Sequence, residues 1–106
     1  VVDKNTIKNF ETYVSQHLTD PSFTVDALAE MMHMGRTKLY GKIKELTGET
    51  PNKYIMRQRM KMASEMLLTG EYTVSDVCYK VGLEDVSYFN KCFKSYYGVS
   101  PSKYGK

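Results

Sequence analysis

Thr37, Tyr40, Gly41 and Lys44 are spaced three, four and seven positions from the first, and Ser87, Asn90, Lys91 and Lys94 repeat that spacing fifty residues later. At about 100° per residue, each set falls on one face of a helix. Hydroxyls, an amide and ammonium groups on such ridges fit recognition chemistry. Amides and hydroxyls can hydrogen-bond to base edges, and a lysine can reach guanine O6 and N7 or a phosphate. Gly41 would let a backbone approach such a surface closely. Arg36, Lys38, Lys42 and Lys53 surround the first ridge and could neutralise phosphates.

No catalytic constellation accompanies the ridges. Serine, histidine and carboxylate are not grouped for nucleophilic catalysis, and no paired carboxylates stand out for acid–base work. His17, His33, Cys78 and Cys92 lack zinc-motif spacing, in which ligands cluster roughly two to five residues apart. The glycines of "TGET" and "VGLED" read as helix ends, not phosphate loops. The expectation is therefore no catalytic residue, no metal, no cofactor and no enzyme. Cys78 lies on an apolar stripe and is expected in the core, with Cys92 sharing that fate beside Phe93. One of Tyr96 and Tyr97 could stack on a base, and the other is expected to be buried.

The 106 residues allow one domain, or two small halves sharing a core. A composition 42% hydrophobic and 25% charged is that of a soluble globular protein. No apolar run approaches the ~20 residues of a membrane span. Two cysteines are too few for a disulfide framework and fit a reducing, cytoplasmic setting. A start at Val1, without a secretory pattern, predicts a fragment of a longer protein. The net charge of +3 says little, but its distribution says more. Residues 36–61 carry +6 and residues 86–106 carry +4, against −3 for residues 1–35 and −4 for residues 62–85. Each ridge thus lies in a basic block, as a surface facing a polyanion would.

The elements that must hold the two ridges are themselves duplicated. "GETPNKY" (Gly48–Tyr54) returns as "GVSPSKY" (Gly98–Tyr104), and "FTVDALAEMM" (Phe23–Met32) as "YTVSDVCYKV" (Tyr72–Val81). The offset is 49 residues in the earlier stretch and 50 from Thr37 and Ser87 onward. A slip of one residue rotates a helix face, so it belongs in a turn, near residues 33–36 and 82–85. Val25, Leu28, Ala29 and Met32 form an apolar helical stripe, as do Val74, Val77, Cys78 and Val81, with Thr24 and Thr73 as N-caps. Leu39, Ile43 and Leu46 form the stripe of a second helix, matched by Phe89, Phe93 and Tyr96. Gly48 and Gly98 are left-handed stops. Thr50-Pro51 and Ser100-Pro101 each pair an N-cap with proline at the first helical position. The repeated heptapeptide is thus a helix stop joined to a helix start, from which Tyr54 and Tyr104 are expected to fold back on the preceding helix.

A leading helix carries Ile7, Phe10, Val14 and Leu18 and is expected to end at Asp20-Pro21. From Pro51 to Leu68 a longer helix is apolar on two sides, with Met56, Met60, Ala63 and Leu67 on one and Ile55, Met62 and Met66 on the other. A helix apolar on two sides must be covered on two sides, so it is predicted to be a strut between the copies. A short helix, tight turn and second helix is the helix-turn-helix plan, whose second helix enters the DNA major groove.

"VGLEDVSYFNKCFKSYYGVSPSKY" (Val81–Tyr104) resembles the second helix-turn-helix signature of AraC/XylS-type transcription regulators. "LAEMMHMGRTKLYGKIKELTGETPNKYIMRQRMKMASEMLL" (Leu28–Leu68) resembles the first motif and linker helix of that family, and the likeness covers residues 6–104. "LYGKIKELTG" further resembles the C-terminal domains of hybrid two-component regulators of gut Bacteroidetes. The resemblance implies an all-α, homeodomain-like fold of seven helices. It divides the chain into a first subdomain (1–49), a linker helix (50–70) and a second subdomain (71–106). It carries base reading to Thr37, Tyr40 and Gly41, and to Val86, Ser87, Asn90 and Lys91. Val86 starts its helix, where it could touch a thymine methyl. Phosphate contacts are expected from Arg36, Lys38, Lys42, Lys44, Lys53 and Lys94. Four positions depart from the family pattern. Gly41 stands where relatives carry a long polar chain, Lys91 replaces a commoner arginine, Leu83 replaces an aromatic, and Gly105 replaces a terminal arginine.

The chain is accordingly expected to bind double-stranded DNA and regulate transcription. Half-elements would lie roughly one duplex turn, about 10 bp, apart. RNA polymerase and a missing N-terminal regulatory portion are the further partners, and this fragment is expected to touch no membrane. Its location is expected to be cytoplasmic, whether or not the full-length protein is anchored. The alternative is a helical protein-interaction domain that binds an acidic partner through the same basic faces. A small enzyme using the cysteines is the weaker third reading.

Overall fold

The computed structural model describes residues 2–104, so the readings that rest on Gly105 and Lys106 lie outside the described residues. The helices are α1 (Val2–His17), α2 (Val25–Met31), α3 (Arg36–Thr47), α4 (Pro51–Thr69), α5 (Val74–Lys80) and α6 (Val86–Tyr97). They pack around two cores. The first gathers Phe10, Val14, Phe23, Val25, Leu28, Ala29, Leu39, Ile43 and Ile55. The second gathers Met60, Ala63, Val77, Cys78, Val81, Leu83, Phe89 and Phe93. Helix α4 serves both, giving Ile55 to one core and Met60 and Ala63 to the other. Helices α1, α2 and α3 pack among themselves and α3 packs on α4, while α5 and α6 pack on each other and on α4. The two-sided helix is therefore covered on both sides, its faces divided along its length.

Local chemistry starts and stops the helices where the repeat requires. Thr24, Thr50 and Thr73 accept hydrogen bonds from the backbone N–H groups of Ala27, Lys53 and Asp76, and Asp76 returns a bond to complete a capping box at α5. Gly48 and Gly98 close α3 and α6 at φ of 81° and 79°. The one-residue slip falls in the turns. Met34 and Leu83 donate backbone bonds of 3.0 and 3.1 Å to Ala29 and Cys78, so the turns match up to those residues. Gly35 then caps α3 directly, whereas Glu84 intervenes before Asp85 caps α6.

Four expectations are corrected. No seventh helix forms among the described residues: residues 101–104 make a single turn, in which the Lys103 and Tyr104 N–H groups donate to Ser100 O. One turn fixes several dihedrals for little hydrogen bonding, which is the unfavourable nucleation step of a helix without its propagation. Helix α1 ends at His17, because Asp20 N–H turns back to His17 O and Ser22 N–H is taken by the Asp20 side chain. Tyr96 is 42% exposed, and Tyr97 takes the inner place, 4.7 Å from the Phe93 ring. Tyr97 lies one full turn beyond Phe93, on the edge of α6 where Tyr104 also docks, 5.1 Å from Phe93. Tyr104 thus folds back on α6, whereas Tyr54 packs on Phe10 of α1 at 4.8 Å.

Candidate nucleic-acid interface

The apolar stripes of α3 and α6 turn the predicted ridges outward. Leu39, Ile43, Phe89 and Phe93 are 0% exposed, which anchors the rotation of both helices. Thr37, Gly41 and Lys44 are exposed on α3, and Ser87, Asn90, Lys91 and Lys94 on α6. Arg36, Lys38 and Lys53 are exposed as well, and Lys42 is half-buried.

Two of the predicted reading residues are partly absorbed by structure. Tyr40 is half-buried, its hydroxyl accepts from Asn52 Nδ2 at 2.6 Å, and the Arg36 guanidinium lies 5.5 Å from its ring centroid. These contacts hold Tyr40 against the start of α4. Val86 is half-buried against the second core. It also lines a shallow depression with Asn90, Lys91, Lys94, Ser100 and Ser102. The C-terminal turn therefore sets two serines beside the α6 ridge, a juxtaposition that spacing along the chain does not reveal.

A groove of about 520 Å³ runs between the halves. Thr24, Asn52 and Lys53 line one wall, and Tyr88, Lys91, Ser95 and Tyr96 line the other. Lys53 and Lys91, assigned to different copies of the repeat, thus open on one cleft. Cys92 also lines this groove and is half-buried, short of the full burial expected for it, while Cys78 is buried. Burial raises the Cys78 thiol pKa, which disfavours a reactive thiolate there. His17 stacks on Phe23 at 5.5 Å, and among the described residues no group of three metal-ligating side chains assembles.

The basic block of residues 36–61 is less available than its charge count implies. Arg57 grips Glu49 with bonds of 2.8–3.2 Å, and those bonds hold the Glu49 carboxyl below its ordinary pKa. Arg59 is buried, donating to the carbonyls of Leu18 and Asp20. Arg36 shares an exposed ion pair with Asp26 at 3.4 Å. Lys38, Lys44 and Lys53 are exposed beside these engaged arginines.

Gly41 is exposed, and a Cβ built on it meets nothing within 4 Å. Gly41→Ala is expected to stabilise α3 by up to ~1 kcal/mol, the helix-propensity difference between the two residues. Thermal unfolding measures that gain. Weaker binding of the variant to a matched duplex would show that the missing side chain serves close approach.

A family profile for a helix-turn-helix domain matches residues 28–106. The transcriptional activator RhrA of Rhizobium meliloti is 34% identical over 100 residues, covering 92% of this chain and 32% of that protein. A protein named histidine kinase P4, from Formosa agariphila, is 33% identical over 97% of this chain, which spans 8% of it. The C-terminal domain of the response regulator yesN from Fusobacterium nucleatum superposes with a TM-score of 0.93 at 30% identity, covering 96% of this chain and 99% of that one. The DNA-binding domain of AdpA, solved in complex with a target DNA, superposes with a TM-score of 0.85 at 27% identity, over 91% of this chain and 86% of that one. With duplicated helical hairpins on a shared α4, the chain belongs to the AraC-type helix-turn-helix family, a family of DNA-binding transcription regulators and not of enzymes.

Proposed function

We propose that this chain binds double-stranded DNA sequence-specifically to regulate transcription, laying α3 and α6 in successive major-groove segments. One observation carries the reading: equivalent polar ridges on α3 and α6 are turned to solvent, with Lys53 of α4 and Lys91 of α6 opening on a single groove between the halves. The body extends 46 × 23 × 21 Å, long enough to reach two grooves one duplex turn, about 34 Å, apart. Thr37, Tyr40, Gly41, Val86, Ser87, Asn90 and Lys91 are the base-reading set. Arg36, Lys38, Lys42, Lys44, Lys53 and Lys94 hold phosphates. Residues 1–49, 50–70 and 71–106 are the reading unit, linker and second reading unit.

The chain spans 8% and 32% of its two relatives described above, so control is assigned to an N-terminal regulatory portion of a longer protein. Two-component signalling is the favoured context, because the yesN domain is the C-terminal part of a response regulator. RNA polymerase is the natural second partner of such a regulator. No helix of the described residues is long and apolar enough to cross a membrane. A cytoplasmic location follows from the proposed DNA partner.

Selection of bound duplexes from a random pool tests the reading and yields the operator. On that operator, Asn90→Ala and Lys91→Ala should each cost ~1–3 kcal/mol and relax preference at a single base pair. A loss that is the same on matched and scrambled duplexes would remove both residues from the reading set. Equal affinity of the wild-type chain for operator and polyglutamate would instead favour an acidic protein partner.

A further inference from the structure

Arg59 is a cation in the middle of a basic block, yet it stands outside both the base-reading and the phosphate-holding sets proposed above. It is 7% exposed, on the shaft of α4 between the two cores. Its Nε donates to Leu18 O at 3.0 Å and its Nη2 to Asp20 O at 3.1 Å, reaching 41 and 39 residues back to the loop after α1. Gly82, in the turn between α5 and α6, closes the junction from the other side. It is buried at φ +92°, and a Cβ there would lie 2.7 Å from Leu18 O and 3.1 Å from Arg59 Nε and Nη2. The first-half loop, the linker and the second-half turn therefore meet at one point.

We infer that Arg59 and Gly82 form a latch that sets the angle between the two reading helices, and with it the half-element spacing the protein accepts. Helix α4 alone joins the units end to end but leaves their relative roll to side contacts. The junction supplies such a contact. The guanidinium fork is planar and rigid, so two parallel bonds to carbonyls of one loop fix that loop against the shaft. Gly82 is needed because its φ is left-handed and because a side chain would strike the Leu18 carbonyl. A lysine would keep the charge but lose the fork. Arg59 lines the groove shared by Lys53 and Lys91, but its guanidinium is engaged by the Leu18 and Asp20 carbonyls, so it acts as a positioning residue.

The consequence for spacing rests on the DNA-binding reading, but the latch can be tested without DNA. In the free protein, amide residual dipolar couplings of residues 5–48 and 71–104 should fit one alignment tensor. In Arg59→Met they should require two, with Arg59→Lys intermediate. On the selected operator, Arg59→Met should lower affinity about tenfold, a part of the ~10²–10⁴ avidity of two linked modules. Its affinity for a single half-element should be unchanged. Its penalty for inserting one or two base pairs between half-elements should shrink. Gly82→Ala should act the same way, and if Arg59→Met does not fold, the same readouts on Arg59→Lys and Gly82→Ala decide. A single tensor together with an unaltered spacing penalty in folded variants overturns the latch, even if their Tm falls. Absence of sequence preference in the wild-type protein would overturn the DNA reading, while the dipolar couplings would still decide the latch.

Discussion

Phe93→Ala is expected to destabilise the second half of the molecule by ~3–5 kcal/mol, the range for emptying a buried aromatic site. Phe93 is 0% exposed and has the Phe89, Tyr97 and Tyr104 rings at 5.9, 4.7 and 5.1 Å. Truncation leaves a void that helices anchored at both ends cannot close. It also removes tilted and edge-on ring pairs, each worth ~0.5–1.5 kcal/mol beyond area burial. A small domain has only ~5–15 kcal/mol in all, so the loss is a large fraction. The midpoint of thermal unfolding should fall by ~12 °C or more. Tyr96→Ala, on the exposed neighbour, should stay within ~0.5 kcal/mol. Urea unfolding followed by circular dichroism measures both, and a Phe93→Ala cost below ~1 kcal/mol would mean the aromatic cluster does not organise this core. The Phe10–Tyr54 contact lies in the other core and should keep its chemical shifts in the variant.

Raising salt from 50 to 200 mM should weaken operator binding about a thousandfold, if the six proposed phosphate cations each displace a counterion. The slope of log affinity against log salt would then be about −5, at ~0.9 per phosphate on duplex DNA. Lys53→Ala and Lys42→Ala should each flatten that slope by ~0.9 and weaken matched and scrambled duplexes alike. Arg57 and Arg59 do not enter this count. One is held by Glu49 through three hydrogen bonds and the other is buried on backbone carbonyls, whereas Arg36 stays in the count because its contact with Asp26 is exposed to water on both sides. Arg57→Ala should therefore leave the slope unchanged, a prediction opposite to one drawn from the basic block alone. A slope shallower than about −2 would mean that few of these side chains meet phosphates. Footprinting and circular-permutation mobility on the same operator should show half-elements about 10 bp apart, and bending toward the protein if the reading helices sit closer than ~34 Å.

The helices were legible because their signals are local. Threonine caps, glycine stops and stripes at three- and four-residue spacing act within one or two turns; these caps and stops of α2 to α6 stand where the spacing places them, and the α6 stripe departs from it at Tyr96. The outward rotation of both ridges followed from the same periodicity, since burying Leu39, Ile43, Phe89 and Phe93 leaves the opposite faces to solvent. Periodicity loses its hold at the edges of a helix face. Tyr96 and Tyr97 are neighbours on one helix, and which of them is buried depends on where Tyr104 returns to pack. The seventh helix had a cap and a proline to start it but only a single turn formed.

The linear order of residues was enough to establish a duplicated helical hairpin, a shared strut and two polar ridges on equivalent faces. It could not show that Arg59 is buried on the carbonyls of Leu18 and Asp20, that Tyr40 is held by Asn52, or that Lys53 and Lys91 share a groove. Periodicity and capping are short-range and repeat with the chain. Hydrogen bonds between residues 39 and 41 positions apart exist only once the loop after α1 has closed on α4.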